Sequence, residues 1–430
     1  MTTPTPVPKV RAFNPFLRAD SEQMRTLIAE VQSQIEGYEH FYKTRQNKRR
    51  PADLRTFERM IEAIICDLSL VELSSDVAAV HIPRSNKVLR KPSRYKGEVL
   101  SGKLPDLLDI MAAPEMAFVE MTPGSQSFKL TAAGLRIVPT GGTQTTLAPG
   151  AKLVSRIARF GITASDIAPS LDQEPIVLRT RKKPRQDTAD LVEYTDTPET
   201  QRLRKEMQDI NAWLAQADIE CGLSNVHAKN RFLRRIFNND TFEEGGRLYG
   251  GFWQVLSSND RLTGIAINDD GVAECDYGQM SLMLLYAEAG ETPPKGDLYD
   301  LSEYGIPTDC RKGIKKVIQA IINSPKLPTR MPGGARKHFP KRYTVKKVIE
   351  AVRLKHDCVF DLMTSNAGLR LFRTESDILV EVLLTLRDQG VVALPIHDGV
   401  VVADKDREKT IQTMKSVFKK QTGITPVVHS

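Results

Sequence analysis

Two apolar runs separated by one polar turn, ALPI-HDG-VVVA at 393–403, constrain this chain more than any other feature. Asp and Gly both tolerate positive φ, so such runs on either side of Asp-Gly favour pairing as a β-hairpin. A hairpin accounts for the stretch without any function. Its turn nevertheless leaves an imidazole (His397) and a carboxylate (Asp398) between strands that are otherwise apolar. What matters is whether other chemistry reaches the same sheet edge.

A second carboxylate stands at a comparable place. In GVAECDYGQMSLMLLYAEAG (271–290) a short strand is expected to end at Asp276, and a mostly apolar helix follows and stops at Gly290. Between the two carboxylates lies PTDCRKGIKKVIQAIINS (307–324), with Pro307 and Thr308 as start signals and Asp309 in the first turn. Helical periodicity puts Ile314, Val317, Ile318 and Ile321 on one apolar face, and Arg311, Lys312, Lys315, Lys316 and Gln319 on the neighbouring one. A basic surface helix explains this pattern, but Arg311 and Lys315, four apart, project together and suit the grip of a triphosphate. A last helix, expected at about 375–389 with Thr374 as N-cap, feeds through Gly390 into the hairpin.

Strand-DYGQ-helix, then an RxxxK helix, then helix-hairpin-HD resembles, in that order, the palm and fingers of family A nucleotide polymerases. That group includes bacterial DNA polymerase I and the single-subunit phage and mitochondrial RNA polymerases. Asp276-Tyr277-Gly278-Gln279 is similar to the first palm motif, Arg311 and Lys315 to the fingers helix that holds the triphosphate, and His397-Asp398 to the third motif. GGRLYGGFWQVLSSNDR (245–261) resembles the segment preceding the palm in the RNA-polymerase branch, where Arg247 would contact nucleic acid. TESDIL (374–379) resembles the helix before the third motif, and Arg373, directly before it, is a candidate nucleic-acid contact. The resemblance covers roughly 240–430.

The resemblance implies an α+β fold: a right-hand palm with an antiparallel sheet over 241–430, and short helical fingers inserted at about 291–365. A helical thumb-like region would occupy 197–240. It implies two divalent ions, Mg²⁺ or Mn²⁺, bound by Asp276 and Asp398, with His397 orienting the primer end. Nucleotide contacts would come from Arg311, Lys315, Gln319, Ser281 and Tyr277. The physical logic agrees, because phosphoryl transfer needs positioning and charge neutralisation rather than covalent help from protein.

Two departures from the family pattern carry expectations. Gln319 and Asn323 stand where aromatics are usual on the nucleotide-binding helix, so stacking would be weaker or come from Phe339 or Tyr343. Ser281, five residues after Asp276, stands where the DNA-synthesising branch has a Glu that excludes ribonucleotides. A hydroxymethyl group leaves room for a 2′-hydroxyl, so ribonucleotides should be accepted. Residues 1–239 contain no convincing acid set for a proofreading exonuclease.

The remaining sequence is read from pattern alone. Residues 1–18 form a Pro-rich arm, followed by helices at roughly 21–44 and 52–69, the first capped by Asp20 or Ser21. LPDLLDIMAA is a candidate helix leading into short strand-like runs up to 160. This gives 1–178 as either a winged-helix-like or a plain α+β accessory domain. RTRKKPRQDTAD opens a basic connection at 179–196, in which Lys182 and Lys183 are candidate nucleic-acid contacts.

The 61 Lys+Arg against 53 Asp+Glu suit a polyanionic partner, here a nucleic-acid template and primer with nucleoside triphosphates. Five scattered cysteines without CxxC pairs, no apolar leader and no 18-residue apolar run point to a soluble protein of the reducing cytoplasm with no membrane partner. The reading that follows is a template-directed nucleotidyltransferase without proofreading. Its rivals are a non-catalytic nucleic-acid-binding replication initiator with a degenerate palm, and a metal-dependent nuclease, which would need more clustered acids.

Overall fold

The computed structural model describes residues 9–130, 137–184 and 186–430, with side-chain burial given outside 126–141. The first eight residues of the Pro-rich arm, the 131–136 stretch between two expected strands, and Arg185 of the basic connection lie outside the described residues. The fold is mixed α+β, and contacts divide it into two units. One holds the chain up to Glu174 together with Leu223–Arg231; the other holds Pro175–Gly222 and Phe232–Ser430.

In the first unit, helices Glu22–Phe41 and Pro51–Glu72 form because apolar residues recur at helical spacing. Met24, Leu27, Val31 and Ile35 make one stripe; Phe57, Met60, Ile61, Ile64, Ile65 and Leu68 make the other. Ser21 is the cap of the first helix, accepting from the Met24 amide. The core they build covers a four-stranded sheet, ordered 9–12, 77–82, 145–149, 119–122, whose first pair is parallel. The helix expected in LPDLLDIMAA runs Leu104–Met111.

The second unit is organised by a six-stranded sheet whose pairings are all antiparallel. Its central strand, Asp270–Gly278, pairs on one side with Gly399–Ala403. At its far end it pairs on the other side with Val427–His429. The strand therefore runs two residues past Asp276 instead of ending there. Ala393–Ile396 is the edge strand, which is where Pro395, lacking an N–H, can be accommodated. Between 291 and 367 the chain holds helices but no strand.

Several expected boundaries move. Thr374 is not a cap: the helix is continuous over Gly368–Asp388, because GLRLFRT extends the helical pattern and nothing in it breaks a helix. Nor is it the last helix, since Arg407–Thr422 follows the hairpin. The basic stretch from 179 folds back on itself through an Arg179–Leu191 bridge and belongs to the second unit. Helix Pro198–Gln216 is opened by Thr197 with a capping box completed by Thr200. It packs on helix Gly368–Asp388.

Candidate active site

The turn that opened the sequence question contains His397 and Asp398, not Asp398 and Gly399. Ile396 pairs with Gly399, which leaves a two-residue loop. His397 takes the first loop position with φ 51°. A residue with a Cβ in that region costs about 1 kcal/mol relative to glycine, so glycine would make the better turn. The imidazole is exposed and lines a cavity instead. Gly399 is needed for a different reason: a Cβ there would meet the Cys275 carbonyl oxygen at 2.6 Å and the Asp276 Cβ at 3.0 Å. Its absence lets the hairpin close directly on the strand that carries Asp276. The Pro395 carbonyl accepts from Trp253 Nε1 (2.9 Å) and Gln254 Nε2 (3.0 Å), which pins the hairpin from behind.

Asp276 and Asp398 are thus neighbours by register. Asp276 is paired with Gly399, next to Asp398, and the Tyr277 amide donates to the Asp398 carbonyl. Neither carboxylate has a hydrogen-bond or ion-pair partner among the described residues. Partial burial in the cavity, and then the negative charge of Asp398, raise the pKa of Asp276, while His429 and Lys315 pull it down. This is a local deficit of positive charge. Hard carboxylate oxygens suit Mg²⁺ or Mn²⁺, and Mg²⁺ commonly takes only one or two protein carboxylates plus water and substrate phosphate. The two residues fit such ions. No preassembled group of three or more His, Cys, Asp or Glu suited to a metal occurs among the described residues.

The cavity measures about 410 Å³. Besides the two aspartates and His397, its walls hold Arg247, Ser281, Arg311, Lys315 and Gln319, so residues far apart in sequence converge as expected. The basic helix is Arg311–Ile322, and its apolar face is buried at Ile314, Val317, Ile318 and Ile321 as its periodicity requires. Lys315 has no carboxylate within ion-pair distance among the described residues. Gln319 Nε2 donates to Ser281 Oγ at 3.3 Å. Arg247 grips Glu375 with two hydrogen bonds (2.7 and 3.0 Å) and lies 3.6 Å over the Phe372 ring, which fixes its guanidinium at the cavity wall.

Other expected contacts are placed elsewhere. Tyr277 borders the cavity, but its hydroxyl donates to the Met414 carbonyl and its ring packs on Phe418, so its side chain is core. Arg373 bonds Asp377 and Glu199, both at 2.9 Å. It belongs to a closed ion-pair ring that continues through Arg202, Glu206 and the fully buried Arg235 back to Asp377. That ring drives the Glu199 pKa down to about 2, chiefly through Arg202. Arg373 therefore ties strand Arg234–Phe237 and two helices together and does not reach the cavity. Lys182 and Lys183 are exposed but outside it. Phe339 and Tyr343 are buried, so neither offers a stacking surface, and Phe339 fills the space left by Gly313. Asn323 turns its amide back to the Gln319 carbonyl.

Three residues escaped the sequence reading. His429 is paired with Asp276 and lines the cavity; a Cβ on Gly278 would meet its ring at 2.6 Å. Asp297 holds Arg311 through two hydrogen bonds (2.5 and 3.2 Å), which raises the Arg311 pKa. Tyr299, its phenol pushed up to about 12 by burial, completes the wall. The loop bearing Asp297 and Tyr299 is tethered by Gln279, whose side-chain oxygen accepts from the Leu298 amide. The DYGQ glutamine is the signal that could have pointed there. No protein-family model matches this sequence, and no curated protein matches it.

Proposed function

We propose that the chain is a template-directed nucleotidyltransferase with a family A-like palm, transferring nucleotides from triphosphates to a nucleic-acid 3′-hydroxyl. One observation carries this reading. Two unpartnered carboxylates on directly paired backbone share a single cavity with the cationic side of a helix. Asp276 and Asp398 would hold the divalent cations, which supply activation of the attacking hydroxyl and neutralisation of the triphosphate. Lys315 and Arg311 bind the phosphates, Arg311 by exchanging Asp297 for a phosphate oxygen. Gln319 and Ser281 orient the sugar, and His397 contacts the primer end. Arg247 is preorganised by Glu375 and Phe372 to hold a backbone phosphate.

An extension assay tests the reading. Primed and unprimed templates of DNA and RNA are supplied with dNTPs or NTPs in Mg²⁺ or Mn²⁺. Incorporation that tracks the template supports the proposal. Tight template binding without incorporation under any of these conditions favours the non-catalytic initiator. Ser281 predicts that NTPs serve readily, so a kcat/KM preference for dATP above about a thousandfold, roughly 4 kcal/mol, overturns that part.

A further inference from the structure

One stretch of the chain outweighs its whole excess of positive charge. Residues 310–349 contain 12 Lys+Arg and no Asp or Glu; against the chain totals, the rest keeps 49 basic residues for 53 acidic ones and is net negative. Arg311 and Lys315 turn into the cavity. Lys312 and Lys316 are exposed on the same helix, and Lys337 and Lys341 are exposed in the segment packed against it. None of these four has a carboxylate within ion-pair distance among the described residues. His338 has its pKa lowered by desolvation and then by Lys337, Lys316 and Lys312, so these three lysines act on a common point.

The segment is a built platform rather than a loose tail. Phe339 packs where Gly313 lacks a side chain, and Ala335 is buried. Arg336 donates to three carbonyls, those of Tyr343 (2.8 Å), Phe339 (2.8 Å) and Pro340 (2.5 Å). Elsewhere in this unit arginines are matched by acids, as at Arg202, Arg247, Arg261 and Arg373. Like charges gathered on a fixed surface destabilise the free protein, and an anionic partner offsets that repulsion. Leu327 is the one large apolar side chain exposed in 310–349 among the described residues. A membrane surface or a protein hot spot would call for several.

We infer that Lys312, Lys316, Lys337 and Lys341 form a phosphate-binding track for a single nucleic-acid strand, laid along the helix face that adjoins the one entering the cavity. This deepens the proposed function by assigning the template grip, in preference to Lys182 and Lys183. The strand would pass within one helix diameter, about 10 Å, of the site where its complement is extended.

Fluorescence anisotropy with a labelled 20-nucleotide single strand, without triphosphate or divalent ion, tests it apart from catalysis. Replacing the four lysines by Gln should weaken binding at least about tenfold at moderate salt. It should lower the slope of log affinity against log salt by up to about 3, at about 0.7 per phosphate contact. The four-Arg variant should restore both, which separates charge from folding damage. An unchanged slope in the Gln variant overturns the track, as does transfer of the whole effect to Lys182→Gln/Lys183→Gln. Preferential capture by phosphatidylserine vesicles overturns it in favour of a membrane surface.

Discussion

Each unit carries a cavity of several hundred Å³ with aspartates in its wall, and Asp67 in the first is in circumstances opposite to those of Asp276 and Asp398 in the second. In the first unit, at about 470 Å³, Asp67 is fully buried and finished: Arg11 donates to one oxygen (2.5 Å) and the Asn14 amide to the other (2.9 Å). His227 in the same wall is satisfied by the Ile167 carbonyl at 2.7 Å. In the second unit Asp276 and Asp398 have no such donors. The larger cavity is therefore the chemically quieter one. Volume says where a ligand fits; uncompensated charge says where one is required.

The sharpest way to break this contrast is to neutralise the acids. Asp276→Asn or Asp398→Asn should cut nucleotide incorporation by three or more powers of ten, because a charge contact vanishes from the transition state. Thermal stability should hold or, for Asp276→Asn, rise slightly, since partial burial and then the Asp398 charge disfavour the ionised Asp276 in the folded state. Near-normal extension by both variants in Mg²⁺ would end the assignment.

Asp67→Ala should behave the other way. The change leaves the Asn14 amide without its acceptor and releases Arg11, whose side chain is a third exposed, so the cost should be about 2 kcal/mol, readable by urea unfolding. A stability change near zero would mean that Asp67 is no more finished than Asp276.

A third test uses pH. His356 is fully buried, hydrogen-bonded to the Tyr286 hydroxyl (2.9 Å) and the Leu298 carbonyl (3.0 Å), with its pKa pushed down by burial to about 4. A histidine depressed below its unfolded value binds fewer protons in the folded state between those two values. Stability must therefore fall as pH drops from about 6.5 toward 4. The expected loss between pH 7 and 5 is about 2 kcal/mol, and His356→Gln should flatten that part of the curve.

The smallest effect concerns Arg311. Freeing it by Asp297→Asn should lower the apparent nucleotide KM about three- to tenfold if Asp297 competes with phosphate. A raised KM would show that Asp297 orients Arg311 for binding.

What was legible follows the range of the forces involved. Ser21 as a cap, Gly290 as a left-handed stop with φ 71°, and the apolar face of Arg311–Ile322 depend on residues within a turn or so of each other. The hairpin and its neighbouring carboxylate strand were equally local. Arg373 and Tyr277 were misread because their partners, Glu199 and Met414, lie well over a hundred residues away. Nothing near them in the chain records those contacts.

By itself, then, the sequence determined which segments become strands and helices, which side of the basic helix is wet, and that one acid lies on a strand and the other in a hairpin turn. Tertiary structure decided which of the charged groups are spent and which are free. Strand pairing brought His429 beside Asp276 and let Gly399 admit the turn, while loop packing set Asp297 on Arg311. The physical reason is that backbone propensity is summed over near neighbours, whereas the fate of a charge depends on whichever opposite charge the completed fold sets within about 4 Å of it.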